Sequence, residues 1–152
     1  IPSAIGKYNV QAHLFKDYWE DIGTIRSFYD ANLDLAAPLP KFNFFDTESP
    51  IYTRSRYLPP SKVQGCDIDS SLISEGCILN GVYARNSIFG LRSRIDKGTR
   101  IENSIIMGSD FFESIDEIQK NINRNVPAVG IGKNTVIRRA IIDKNTRIGN
   151  NV

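Results

Sequence analysis

Arg54 and Arg56 stand two apart in an extended stretch, so both guanidinium groups project to one side and could clamp a phosphate or carboxylate. Lys144, in the run IIDKN, falls at a turn where a side chain reaches solvent; taken alone it reads as ordinary surface charge. Asp21 falls after an expected strand and just before a helix start, where an acid is favoured by the helix dipole. Other chemistry is poorly supported. His13 is the only histidine, and Cys66 and Cys77, eleven apart, belong to no CxxC or Cys/His set, which argues against zinc. The cysteines read as reduced, small packing residues on strands, consistent with an intracellular setting. Gly130-Ile131-Gly132 is weak evidence for phosphate binding, since glycine there also suits a turn.

The elements that must hold these side chains announce themselves by repetition. DSSLI (69–73), RNSIF (85–89), ENSII (102–106) and RRAII (138–142) begin 16, 17 and 36 residues apart. The first two steps are one coil of a solenoid, and the third is two coils or one coil plus an insertion. Aliphatic positions recur at six-residue steps, Ile95 to Ile101, Ile131 to Ile137 and Ile142 to Ile148. Three six-residue sides make a coil of roughly 17 to 18 residues, the hexapeptide pattern of a parallel β-helix. Ile73, Phe89, Ile106 and Ile142 should then stack inward at equivalent places on successive coils. Corners are expected at 74–76, 96–98, 132–134, 143–145 and 149–151, where Gly, Asn and Asp tolerate positive φ. Strand alternation would place Arg138 and Arg139 on opposite faces. Asp110–Asn125 interrupts the repeat, and Ile115, Ile118 and Ile122 give it helical spacing, suiting a short helix on the solenoid's side or against a neighbouring subunit.

Ahead of the coils the pattern changes. Val10, Ala12 and Leu14 alternate with polar neighbours as a strand would; Thr24 can cap a helix with apolar face Ile25, Phe28, Tyr29 and Leu33, stopped by Pro38 and Pro40. Residues 36–62 hold five of the seven prolines and read as an extended linker. The expected organisation is therefore 1–35, the end of an α/β domain; 36–62, linker; and 63–152, β-helix, with an insertion near 107–128. Little apolar surface precedes Pro38, and Val152 falls in the midst of the repeat, so the chain is expected to be a piece of something longer. The formal net charge of +2 gives no ground for nucleic acid or membrane partners, and no apolar run approaches a membrane span.

The runs DYWEDIGTIRSFYDANLDL (17–35), PIYTRSRYLPPSK (50–62), GLRSRI (90–95) and VGIGKNTVIRRAIIDKNTRIGNNV (129–152) together resemble glucose-1-phosphate adenylyltransferase, or ADP-glucose pyrophosphorylase, of the cyanobacterial and plastid type. The resemblance extends over nearly the whole chain. It implies a Rossmann-like nucleotidyltransferase domain followed by a left-handed parallel β-helix, assembled as a homo- or heterotetramer in a bacterial cytoplasm or a plastid. The implied reaction joins ATP and glucose 1-phosphate into ADP-glucose and pyrophosphate, for glycogen or starch synthesis, with Mg2+ neutralising the phosphates.

By the same resemblance Asp21, in WEDIGT, matches a catalytic metal-binding aspartate, and Trp19 and Glu20 are weaker candidates for the sugar pocket. Arg56 and Lys144 match an allosteric anion site for 3-phosphoglycerate and phosphate; Arg54, glutamine in some relatives, is a weaker member. The family's glycine-rich phosphate loop and sugar-phosphate lysine have no counterpart here, so the chain alone is expected to be inactive. The rival expectation is a non-catalytic β-helix module for oligomerisation or regulation. A hexapeptide acyltransferase is disfavoured, because His13 lies well before the coils.

Overall fold

A computed structural model describes all 152 residues. Four full turns of chain, each of three short strands, wind from residue 62 onward. The first holds β1 (Lys62–Gln64), β2 (Asp67–Asp69) and β3 (Leu72–Ile73); the second β4 (Ile78–Asn80), β5 (Tyr83–Arg85) and β6 (Ile88–Phe89). The third holds β7 (Arg94–Ile95), β8 (Arg100–Glu102) and β9 (Ile105–Ile106); the fourth β10 (Gly130–Ile131), β11 (Val136–Arg138) and β12 (Ile141–Ile142), and β13 (Arg147–Ile148) opens a fifth. Like strands pair in parallel across coils, giving three sheets in the orders β1-β4-β7-β10-β13, β2-β5-β8-β11 and β3-β6-β9-β12. The result is a triangular parallel β-helix with rungs about 4.8 Å apart.

The repeat works because each side supplies one inward apolar residue. Leu79, Ile95 and Ile131 line the first sheet, Ala84, Ile101 and Ile137 the second, and Phe89 and Ile106 the third, in one continuous core. The second coil balances its volumes: Phe89, fully buried, shares its rung with the smallest inward residue, Ala84. Ile73 keeps the expected register, opposite Phe89, but is 37% exposed because its coil is the first and has nothing stacked before it.

Corners are set by residues with left-handed backbone. Gly76, Gly98, Asn134, Asn145 and Asn151, the last residue of each expected corner, all have positive φ. A further set was not anticipated: Ser70, Asn86, Asn103 and Arg139, the second residue of every five-residue repeat, also have positive φ. The repeats are thus corners leading into strands. Arg139 therefore turns a corner instead of alternating with Arg138 along a strand, which corrects the expectation of opposite faces.

The third repeat residue ties the coils together. Ser71, Ser87 and Ser104 donate their hydroxyls to carbonyls of their own coil and accept the N–H of Ser87, Ser104 and Ala140, respectively, from the next. Buried polar backbone is satisfied by this ladder. The cysteines play related parts at other corners, not on strands: Cys66 Sγ accepts the Val82 N–H, and Cys77 Sγ donates to Gly90 O. Both are free thiols, and burial pushes the Cys77 thiol up.

The 36-residue step is one coil plus an insertion, since Ile95 pairs directly with Ile131. Within it lies α2 (Ile115–Asn123), capped by Ser114 and Glu117 in a reciprocal box. Only Ile118 of its isoleucines is half-buried; Ile115 is 85% exposed.

In the N-terminal part, α1 (Ile25–Asp34) starts at Thr24, whose hydroxyl accepts the Ser27 N–H, as expected. It packs on the outer face of the third sheet, where it covers Ile105, and Tyr29 donates to Asn103 O at 2.6 Å. The expected strand over Val10, Ala12 and Leu14 does not form: these residues have no paired neighbour, and Val10 and Leu14 are exposed. A strand with no sheet to join has nothing to satisfy its backbone or bury its face. No helix is long and apolar enough to cross a membrane.

Candidate functional site

Two groups of candidate residues occupy different places. Asp21 lies in the irregular segment before α1, exposed, with Oδ1 accepting the Gly23 N–H at 3.2 Å. That bond pins the turn into Thr24 and leaves the second carboxylate oxygen free. No cluster of three His, Cys, Asp or Glu surrounds it. One carboxylate can contribute to an Mg2+ site when phosphates and another acid complete the shell, but it cannot form a site by itself. Glu20 is exposed, and Trp19, 74% exposed, packs on nothing that would define a pocket.

The basic candidates lie on the ridge between the third and first sheets. Its corner stacks as Gly76, Arg92, Ser109 and Asn145, preceded by the column Glu75, Leu91, Gly108 and Lys144: Arg92 N–H donates to Glu75 O, Ser109 N–H to Leu91 O, and Asn145 N–H to Gly108 O. The linker reaches this ridge at its first coil, where Gly76 N–H donates to Pro59 O. Arg54 and Arg56 line an open groove there with Tyr52, Ser74, Glu75 and Leu91. Arg56 folds back to donate to Arg54 O at 3.1 Å, and neither guanidinium has an acidic partner within ion-pair distance.

Lys144 sits on the same ridge at the fourth coil, three rungs or about 14 Å along the axis from Glu75. Arg54, Arg56 and Lys144 thus share one edge of the prism without sharing one groove. Lys144 Nζ is paired with Asp110 Oδ1 at 2.8 Å. Asn145 Nδ2 donates to the other Asp110 oxygen at 2.9 Å. The Lys144 and Asn145 hydrogen bonds hold the Asp110 carboxyl below the usual range, and the nearby charge of Arg92 adds to this. Arg92 donates to Ser109 O and lies over the Phe112 ring, with its centre 5.6 Å from the ring centroid.

Sequence reasoning missed the residue that fastens the insertion. The side chain of Glu113 is 4% exposed and pairs with Arg147 at 2.6 Å. It also accepts the Val129 N–H at 2.6 Å and Asn121 Nδ2 at 2.8 Å. Burial pushes this carboxyl up, but the Val129 N–H, Arg147 and Asn121 outweigh it and hold Glu113 below its ordinary value. Arg147 completes the clasp by donating to Pro127 O. Nothing in the local pattern marks Glu113 and Arg147, 34 residues apart, as partners; the isoleucine spacing signals the helix that follows Glu113, and Ser114 with Glu117 marks its start.

On the second sheet's outer face, Arg85 and Arg100 both lie over the Tyr83 ring, and Arg100 and Arg138 both reach Glu102. Arg85 pairs with Asp67. With Asp69 beside Arg85, three acids face three arginines, and the charges form a solvated face rather than an anion site.

A family model described as the GLGC left-handed parallel beta-helix domain matches residues 56–152, more than half of the chain and the whole run of coils.

Proposed function

The chain belongs to the family of the left-handed parallel β-helix domain of glucose-1-phosphate adenylyltransferases, and from that membership we propose that it is the C-terminal, regulatory portion of a cyanobacterial or plastid-type enzyme of this family. The proposed reaction transfers adenylyl from ATP to glucose 1-phosphate, giving ADP-glucose and pyrophosphate. In it the sugar phosphate attacks the α-phosphorus in line, and Mg2+, when bound, supplies charge neutralisation at the phosphates. Asp21 is proposed as one metal ligand, with Trp19 and Glu20 at the edge of the sugar site. The enzyme would work as a tetramer, in a bacterial cytoplasm or a plastid.

The observation that carries the regulatory half of this reading is the ridge. Arg54, Arg56 and Lys144 come from the linker and the fourth coil, yet the β-helix aligns them along a single edge, with Arg92 between. Phosphate-bearing effectors such as 3-phosphoglycerate and inorganic phosphate are the proposed ligands, drawn by charge-assisted hydrogen bonds. Such a ligand regulates only if it binds the active arrangement better than the inactive one.

The test is the activity of the enzyme that contains this chain, measured as ADP-glucose formation against 3-phosphoglycerate concentration. Lys144→Ala should raise the activator concentration required while leaving maximal activity largely intact; unchanged activation curves would sink the assignment. The family match over the coils, residues 56–152, favours a second reading, a non-catalytic module for assembly or regulation. Absence of ADP-glucose formation by the protein containing the chain would leave that reading alone.

A further inference from the structure

The proposed effector lysine already holds an anion. Asp110 places one carboxylate oxygen on Lys144 Nζ and the other on Asn145 Nδ2, at 2.8 and 2.9 Å. A phosphate-type oxyanion approaching Lys144 would seek the same two donors. Two like charges cannot share them without mutual repulsion. Resting on the reading of Lys144 as an anion contact, we infer that Asp110 is a built-in competitor that occupies the Lys144 donor and sets how tightly the site takes an oxyanion.

Three observations separate this role from plain fastening of the insertion. The backbone at Asp110 is held without its carboxylate: Asp110 N–H and Ser109 Oγ both donate to Asn145 Oδ1, at 2.9 and 3.0 Å. The insertion has a stronger anchor in Glu113, whose carboxylate is buried against Arg147 and the Val129 N–H. The Asp110–Lys144 pair, by contrast, is about half-exposed on both sides and exchanges readily with solvent and ions. The other nearby acid, Asp143, is directed to the Lys144 backbone N–H at 2.7 Å and does not engage the ammonium. Arg92 adds positive potential beside Asp110, so the vacated position remains attractive to an anion.

The test titrates inorganic phosphate, followed by the amide resonances of Lys144 and Asn145, into the chain and its Asp110→Asn, Lys144→Ala, double and Asp116→Asn variants. Asparagine keeps the shape and a donor-acceptor pair at position 110, so the corner is expected to stay folded, and exchange protection of α2 amides checks that it does. Asp116 is an exposed acid of the same insertion, outside the cluster, and controls for a general change of charge. Asp110→Asn should tighten phosphate binding about fivefold, the scale of one exposed ion pair. The gain should vanish when Lys144→Ala is added and be absent in Asp116→Asn. Binding unchanged or weakened by Asp110→Asn, with Lys144→Ala still reducing it, would overturn the competitor role and leave Lys144 as an anion contact. An equal gain in Asp116→Asn would also overturn it. Binding indifferent to Lys144→Ala would remove the underlying reading, and the competitor with it.

Discussion

Glu113→Ala should release the insertion from the coils while the coils themselves stay folded. The substitution removes a nearly buried carboxylate that serves Arg147, the Val129 N–H and Asn121. Breaking a buried pair costs about 3–5 kcal/mol, and the lower end applies because Arg147 is 31% exposed and keeps its bond to Pro127 O. A loss of about 3 kcal/mol in the local opening free energy corresponds to roughly a hundredfold faster exchange of the amides it protects. Amide hydrogen exchange should therefore show Val129 and the α2 amides accelerated by about two decades, with Ile95 and Ile101 unchanged. Glu113→Gln, which keeps the shape and loses the charge, should fall between. The pH dependence has a definite sign. Because Glu113 is held below its ordinary value, its contribution is complete above the usual glutamate range and disappears as pH falls below about 4.3 toward its depressed folded value. The reasoning fails if Val129 exchanges no faster in Glu113→Ala, or if the acceleration spreads evenly through the coils.

Phe89→Ala should lower stability by about 3–5 kcal/mol, read from urea unfolding, because it empties the centre of the second coil beside Ala84. Ser104→Ala should cost about 1–3 kcal/mol, since the buried hydroxyl both donates to Glu102 O and accepts the Ala140 N–H; Ser87→Ala should behave alike, and neutrality at both would mean that the ladder is not needed.

The coils were legible because their cause is local. A six-residue step with one aliphatic residue per side, and Gly or Asn at the corners, leaves few ways to bury the chain, and the observed registers follow those steps. The serine at the third repeat position was visible but not interpretable, since its role depends on a neighbour 16, 17 or 36 residues away. The helix of the insertion was legible from its isoleucines; its attachment was not, because Glu113 meets Arg147 only once the coils bring them together. The misread strand at Val10, Ala12 and Leu14 shows the opposite limit: alternation describes a face, and a face needs a partner sheet. Among the site candidates, the common ridge of Arg56 and Lys144 follows from the winding of the β-helix, and no property of either residue alone indicates it.

The prism has three faces and three edges, and their occupation narrows where the proposed anion would bind. α1 covers the third sheet at Ile105, the insertion flanks the first sheet through Glu113 and Arg147, and the second sheet carries a self-neutralising ladder of Arg and acid. The edge between the third and first sheets is where separate segments converge: the linker arrives beside Glu75, the insertion departs at Ser109, and Arg92 and Lys144 lie along it. An anion bound on that edge changes the charge balance at the root of the insertion and beside the linker together. Its influence needs no distortion of the coils, whose inward columns resist compression. It requires only that the weak exposed pair at Asp110 give way before the buried one at Glu113. Under the proposed reading, release of the exposed Asp110 pair before the buried Glu113 pair would let a ligand act locally and still be felt by the segments on either side.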